Sequence, residues 1–141
     1  MKKFSLPRIV CLTLLLGLSA FASAGDWTRF QGPMPSDVDV RRLPMTWSPK
    51  ENVQWTAEIT GYGQSSPVTW GERAFITSIS GPKKEHCHVA AFDLNSGKKL
   101  WQHDLETATQ AENNTYISKA APTPVVDAAG VVCFFEGGNL V

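Results

Sequence analysis

The feature that most constrains the fold is a series of short runs rich in β-branched and aromatic residues. Residues 74–79 (AFITSI), 87–92 (CHVAAF) and 131–135 (VVCFF) are such runs, and glycine-containing turns such as those at Gly81 and Gly97 separate them about every ten residues. No stretch carries an apolar period of 3.6 over a useful length. The sequence therefore predicts an all-β fold, for which a sandwich, a barrel and a propeller are the open architectures.

The chain also resembles itself. Residues 65–78 align with residues 121–135 at an offset of 57, and Trp55 aligns with Trp101 at an offset of 46. The difference between the offsets places an insertion of eleven residues between Leu105 and Ala121. The repeating unit is then about 40 to 45 residues long, which is the size of one four-stranded blade of a β-propeller.

We accordingly predict an all-β chain whose architecture is a β-propeller of four-stranded antiparallel blades, with one to two blades present. The run at 131–135 supports this because a strand with no polar residue is typical of a sheet that is covered on both faces. The predicted parts are a signal peptide at 1–24, an irregular aromatic-rich N-terminal wrap at 25–51 and a partial propeller at 52–141, in which a strand spans 52–59, a blade spans 65–105 and the next blade begins in 121–141.

The first 24 residues have the layout of a secretory signal peptide. Lys2 and Lys3 give a basic start, residues 9–21 are almost wholly apolar, and Ala22-Ser23-Ala24 supplies the small residues of a cleavage site. The apolar run is shorter than the roughly 18 residues that a membrane span requires. We expect cleavage after Ala24, a periplasmic or secreted location, and no membrane span in the mature chain.

Charge then excludes one class of partner. Cleavage would remove Lys2, Lys3 and Arg8, which leaves ten basic residues against thirteen acidic ones. No basic patch remains that would favour nucleic acid or an anionic membrane. We therefore expect a protein or an extracellular polymer as the partner.

The N-terminal wrap carries large aromatic residues that a solvated linker would not need. Trp27, Phe30 and Trp47 lie among four prolines between residues 25 and 50, with no sustained period. Irregular segments with several aromatic residues usually lie over a core and insert their rings into it. We expect these three rings to be inserted.

The stretch AAFDLNSGKKLW, residues 90–101, predicts a tight turn followed by a packing tryptophan. Asp93 can accept hydrogen bonds from amides two or three residues later, and Gly97 can adopt a left-handed conformation without steric cost. Trp101 then lies on the outermost strand, where its indole can pack against the next blade. We interpret Asp93 as a turn residue and expect no catalytic role for it.

The same stretch resembles the tryptophan-docking motif of the pyrroloquinoline-quinone-type β-propeller repeats. That motif reads Ala-x-Asp-x-x-Thr-Gly-x-x-x-Trp, and this chain matches it with serine in place of threonine, while Trp55 is the equivalent indole of the preceding unit. The runs at 65–68 and 121–125 are similar to the innermost strand that opens each such blade. The matching residues of the motif are Ala91, Asp93, Ser96, Gly97 and Trp101.

The resemblance implies a fold and leaves the function open. We expect a non-catalytic protein-interaction scaffold; the alternatives are a quinone-dependent oxidoreductase and a carbohydrate- or polymer-binding module. Only the resemblance implies a cofactor, pyrroloquinoline quinone with calcium. The adjacent cysteine pair with which the dehydrogenases of the family hold the quinone is missing from this sequence. Family propellers have seven or eight blades, so we expect this chain to be an N-terminal part of one.

Three further groups of residues are candidates for chemistry. His86 and His88 lie on one face of a strand and would bind zinc or copper with a third ligand, but we favour a solvent-facing pair. Residues 62–66 precede the innermost strand and would line a central funnel. We expect Cys87 and Cys133 to be buried, with pairing left open, and Asn113 begins a formal glycosylation sequon.

Overall fold

The computed structural model describes residues 25–32, 43–109 and 118–141. The predicted signal peptide with its cleavage after Ala24, part of the N-terminal wrap and the sequon at Asn113 lie outside these ranges. Every helix or strand assigned in the described residues is a β-strand, so the all-β prediction is confirmed for them. Nor do those residues contain a helix of the length and apolar content that a membrane span requires.

Four strands form the first sheet, an antiparallel meander in which each strand pairs with the next. Each turn of this sheet connects two neighbouring strands, as the glycine-containing turns of the sequence predict. The strands are β1 (Val68–Trp70), β2 (Arg73–Ser80), β3 (His86–Asp93) and β4 (Lys99–Glu106). They run from Val68 to Glu106, and the range predicted for one blade is 65–105.

The second sheet begins with β5 (Val125–Val126) and β6 (Val131–Val132). The chain continues from β6 to Phe135 and pairs with residues 139–141, since Cys133 and Val141 exchange backbone hydrogen bonds of 2.8 and 2.9 Å. This sheet lies in the range predicted for the start of the next blade, 121–141.

The register of the two sheets reproduces the sequence repeat. Val68 pairs with Phe75 in the first sheet, and Val125 pairs with Val132 in the second. Val125 and Val132 each lie 57 residues after their equivalents in the first sheet. The N–H of Ser66 donates a hydrogen bond of 3.2 Å to Oγ1 of Thr123, which also lies 57 residues later. The two opening hairpins are therefore equivalent in structure as well as in sequence.

The hydrophobic core lies between the two sheets. One group of buried side chains joins Ile79, Cys87 and Val89 of the first sheet to Cys133 and Phe135 of the second. A second group contains Val68, Phe75, Ala91 and Val126. Because burial of apolar area is worth about 25 cal/mol per Å², these contacts stabilise the packing of the two sheets.

The segment 52–59, predicted to be a strand, has no strand assignment. A strand needs a backbone partner, and the free edge of β2 is reached only at Tyr62, whose N–H and C=O both bond to Ile79. Before that point the side chains of Gln54 and Trp55 hold the segment by donating hydrogen bonds to backbone carbonyls of the turn after β3.

The N-terminal wrap is anchored by its backbone more than by its rings. Trp27 exchanges hydrogen bonds with Thr69, and the C=O of Thr28 accepts one from the N–H of Val126. Thr69 and Val126 are equivalent positions of the two hairpins. The expected insertion of Phe30 and Trp47 is wrong, because both side chains are mostly exposed.

The run VVCFF is covered on one face by the described residues. Cys133 and Phe135 are buried against the first sheet, whereas Val132 and Phe134 each expose 47% of their surface. The expectation that both faces would be covered is therefore not met in the described part of the chain, since these residues supply a sheet on one side only.

Candidate functional site

The turn between β3 and β4, residues 93–97, is held by Asp93 and is called the docking turn below. The Asp93 carboxylate accepts hydrogen bonds from Ser96 N at 2.8 Å and from Ser96 Oγ at 2.6 Å. These bonds lower the pKa of Asp93, the side-chain bond contributing most. Gly97 has a φ of +71°, a left-handed conformation that favours glycine.

Trp55 docks on this turn from the segment before the first sheet. Its Nε1–H donates a 2.8 Å hydrogen bond to the carbonyl of Leu94. Its ring lies so close to Gly97 that a Cβ there would fall 2.6 Å from the indole carbons. Glycine is therefore required at 97 for two reasons, its positive φ and the close approach of the Trp55 indole. The asparagine-serine-glycine sequence of the turn allows the indole to pack there.

Trp101, the repeat equivalent of Trp55, has no such turn to dock on in the described residues. Its ring centroid lies 6.0 Å from that of Phe75 in a tilted arrangement. It pairs across the sheet with Ala91, which is fully buried, yet it exposes 39% of its own surface. The two equivalent tryptophans thus differ in environment, one docked and one half-exposed.

His86 and His88 project from the same face of β3, as predicted, but each is bonded to a carboxylate on β4. His86 Nδ1 lies 2.8 Å from Glu106 Oε1, and His88 Nδ1 lies 2.7 Å from Asp104 Oδ1. The expectation of a solvent-facing pair is wrong for His88, which exposes only 6% of its surface. No group of three His, Cys, Asp or Glu side chains that would hold a metal ion occurs among residues 25–32, 43–109 and 118–141.

His88 also contacts a serine that sequence analysis missed. Ser80 Oγ lies 2.8 Å from His88 Nε2, so one imidazole connects Ser80 on β2 with Asp104 on β4. The bonds from His88 and from Gln102 lower the pKa of Asp104, which keeps it ionised at neutral pH. An ionised carboxylate only accepts, so in the neutral imidazole Nδ1 carries the proton and Nε2 accepts from the Ser80 hydroxyl.

These three residues line one side of an open cavity of about 370 Å³, together with His86, Leu105 and Glu106. The register of the sheet creates the group: Ser80 pairs with His86, and His88 pairs with Asp104. The five-residue connection at 81–85 between β2 and β3 sets that register. The sequence signal for the group was a serine at the end of one strand, followed after this connection by alternating histidines.

Residues 62–66, predicted to line a funnel, take part in contacts between the sheets. The Gln64 side-chain oxygen accepts a hydrogen bond from Ser118 N at 2.9 Å. Ser65 Oγ accepts one from Thr77 Oγ1 at 2.9 Å, and Ser66 bonds to Thr123. This segment therefore joins the opening strands of the two repeats.

Cys87 and Cys133 are both free and buried. Burial raises the pKa of Cys133 to about 11 and raises that of Cys87 as well, because desolvation disfavours the thiolate. Both thiols belong to one core cluster and behave there as small apolar side chains.

Comparison with known proteins gave no relative. No family model matches the chain, and neither a curated protein nor a solved structure is similar to it at a significant level.

The docking of Trp55 predicts unequal effects of two glycine substitutions. Gly97→Ala and Gly71→Ala both place alanine at a positive φ, +71° and +57° respectively. Only at Gly97 does the new Cβ meet the Trp55 ring; at Gly71 nothing lies within 4 Å. We expect Gly97→Ala to lower the free energy of unfolding by about 2 kcal/mol more than Gly71→Ala, as measured by urea denaturation. Equal losses would contradict the docking contact.

Proposed function

We propose that this chain is part of an extracytoplasmic β-propeller repeat protein that acts as a non-catalytic scaffold for other proteins. The observation that carries the proposal is the way in which the two sheets pack. The export signal pattern at 1–24 supports the location, and the docking motif supports the type of repeat.

The two repeats contact each other through faces that are not equivalent. In the first sheet, Val68 and Phe75 point towards the second sheet and belong to the shared core. Their equivalents in the second sheet, Val125 and Val132, point away and are about half exposed. The second sheet instead presents Val126, which corresponds to Thr69. The packing is therefore head-to-tail.

Head-to-tail packing favours a propeller over a two-layered sandwich. A sandwich of two repeats would bury the same face of each, and its interface would be complete. In a head-to-tail interface, the last unit still exposes the face with which the preceding unit binds its neighbour. A further unit can bind that face, and units can be added in this way until the ring closes. The docked indole of Trp55 and its half-exposed equivalent, Trp101, fit the same pattern.

The exposed face of the second sheet is the surface that would receive the next unit or a partner protein. Four apolar side chains on it are about half exposed or more, and we call them the outer patch: Val125, Val132, Phe134 and Leu140. They share one face because Val125 pairs with Val132 and Phe134 pairs with Leu140. A contiguous apolar patch of this kind is typical of a protein interaction surface.

The resemblance also raises the alternative of a quinone-dependent oxidoreductase. In the described ranges, no three side chains of the His, Cys, Asp or Glu type converge on a point that would hold a metal ion. The described residues therefore contain no cluster of three such side chains that would contribute to the calcium site of that cofactor.

The exposure of the outer patch predicts association between copies of the chain. A polypeptide of residues 25–141 should self-associate, because the outer patch leaves four apolar side chains about half exposed or more and association would remove them from water. Val132→Asp should reduce the association by placing a charge in that contact, which we expect to see as a shift towards monomer in sedimentation velocity experiments.

The control for that experiment is Val53→Asp. Val53 is similarly exposed, at 41% against 47% for Val132, and lies outside the outer patch. We expect it to leave the association unchanged. A wild-type polypeptide that is monomeric at all concentrations and melts cooperatively would contradict head-to-tail packing through the outer patch.

The second prediction separates the scaffold from the oxidoreductase. The full-length exported protein should leave the absorbance spectrum of pyrroloquinoline quinone unchanged when it is titrated with the quinone in the presence of calcium. Calcium alone, without protein, gives the reference spectrum. A saturable spectral change at one quinone per protein would overturn the non-catalytic assignment and favour the oxidoreductase.

A further inference from the structure

We propose that Ser80, His88 and Asp104 form a nucleophilic triad that cleaves small acyl esters; this inference goes beyond the scaffold role, which itself requires no catalysis, and would add an activity to the chain. The three side chains come from the adjacent strands β2, β3 and β4 and lie on the same face of the first sheet. Among residues 25–32, 43–109 and 118–141, these side chains join a hydroxyl, an imidazole and a carboxylate in that order through contacts of 2.8 and 2.7 Å.

The identity of the bonded atoms carries the proposal. Asp104 bonds to Nδ1 of His88, and Ser80 bonds to Nε2. This is the arrangement that nucleophilic catalysis by serine requires, because the carboxylate fixes the tautomer and Nε2 is left as the base that faces the hydroxyl. The reverse attachment would place the proton on the nitrogen that has to accept one.

The surroundings restrict the motion of the base and leave room for a substrate. His88 is buried and bonded at both ring nitrogens, so its orientation is fixed. Ser80 lies at the end of β2, where the chain turns at Gly81, and its side chain borders the open cavity of about 370 Å³. A cavity of that size admits a small acyl group together with its leaving alcohol.

The lining of the cavity indicates the class of ester. Asp104 and Glu106 place two carboxylates on its wall, whereas the Leu105 side chain between them on β4 points to the other face of the sheet and packs against the core. Carboxylates repel an anionic substrate, so a neutral or cationic ester with a short acyl chain fits the site best.

The reaction balances with water as the co-reactant. Ser80 Oγ forms a bond to the carbonyl carbon while its proton moves to His88 Nε2, and the carbon–oxygen bond to the alcohol then breaks as the alcohol takes that proton. Water next attacks the acyl-serine and gives a proton to His88 Nε2. The acid leaves, and Ser80 recovers its proton. Asp104 touches none of the reacting atoms and acts as a positioning residue.

The test uses a fluorophosphonate probe, which bonds to an activated serine with loss of fluoride. In the full chain we expect the probe to label Ser80, as mapped by mass spectrometry of the peptides, and p-nitrophenyl acetate to be hydrolysed. Ser80→Ala should abolish both signals. Ser78→Ala is the matched control, because Ser78 lies on the same face of β2, is buried, and has no part in the triad.

Two variants separate a catalytic base from a structural hydrogen bond. His88→Gln should abolish labelling in a protein whose circular dichroism and melting temperature are retained. Asp104→Asn, at an exposed position, should slow labelling of Ser80 by about a hundredfold through loss of the correct tautomer. If His88→Gln does not fold, the Asp104→Asn rate decides.

Labelling of Ser80 that depends on His88 and Asp104 would establish the triad. No labelling of Ser80 in the folded wild-type chain would overturn it, as would labelling that Asp104→Asn leaves unchanged. Neither result concerns the outer patch, so the scaffold proposal is tested separately by the association experiment and the quinone titration.

Discussion

The contact between the Trp55 indole and the docking turn is the interaction on which the arrangement of the first repeat depends. It joins a segment without strand pairing to a turn 39 residues later, through one hydrogen bond and the close approach of a ring to Gly97. The turn can receive the ring only because Asp93 and Ser96 hold it in shape and because glycine leaves its surface open. The Trp55 indole, together with the Gln54 side chain, thereby holds a segment that makes no backbone strand pairing.

The same logic extends from the turn to the packing of the sheets. Equivalent residues of the two repeats meet at Ser66 and Thr123, while the faces in contact are different ones. The N-terminal wrap reinforces this arrangement because it bonds to Thr69 and Val126, which are equivalent edge positions. We propose that further units pack in the same direction and cover the apolar outer patch of the second sheet.

Much of this was readable from the sequence. The all-β class and the offset of 57 follow from β-branched runs, glycine positions and self-similarity, all of which are local or periodic signals. The conformation of Gly97 and the hydrogen bonds of Asp93 follow from turn chemistry. The equivalence of Trp55 with Trp101 predicts a packing role for its ring, and the expected strand around it is absent.

The remaining features depend on register and on long-range placement. Ser80 meets His88 only because the connection at 81–85 aligns β2 and β3 as it does, and no local pattern fixes the pairing of His88 with Asp104 on a third strand. The exposure of Val132 and Phe134 likewise depends on which sheet covers them, and a continuous apolar run does not indicate which face of the strand is covered. Phe30 and Trp47 were assigned to the core from composition, which does not report where a ring points.

The most direct test of the indole contact is the NMR spectrum of a chain that contains residues 25–141 under conditions that keep it folded. We expect the Gly97 α-protons to be shifted upfield by the Trp55 ring current, and the Trp55 Nε1 proton to exchange with solvent more slowly than that of Trp101. Random-coil shifts at Gly97, with equal exchange rates for the two indoles, would contradict the account.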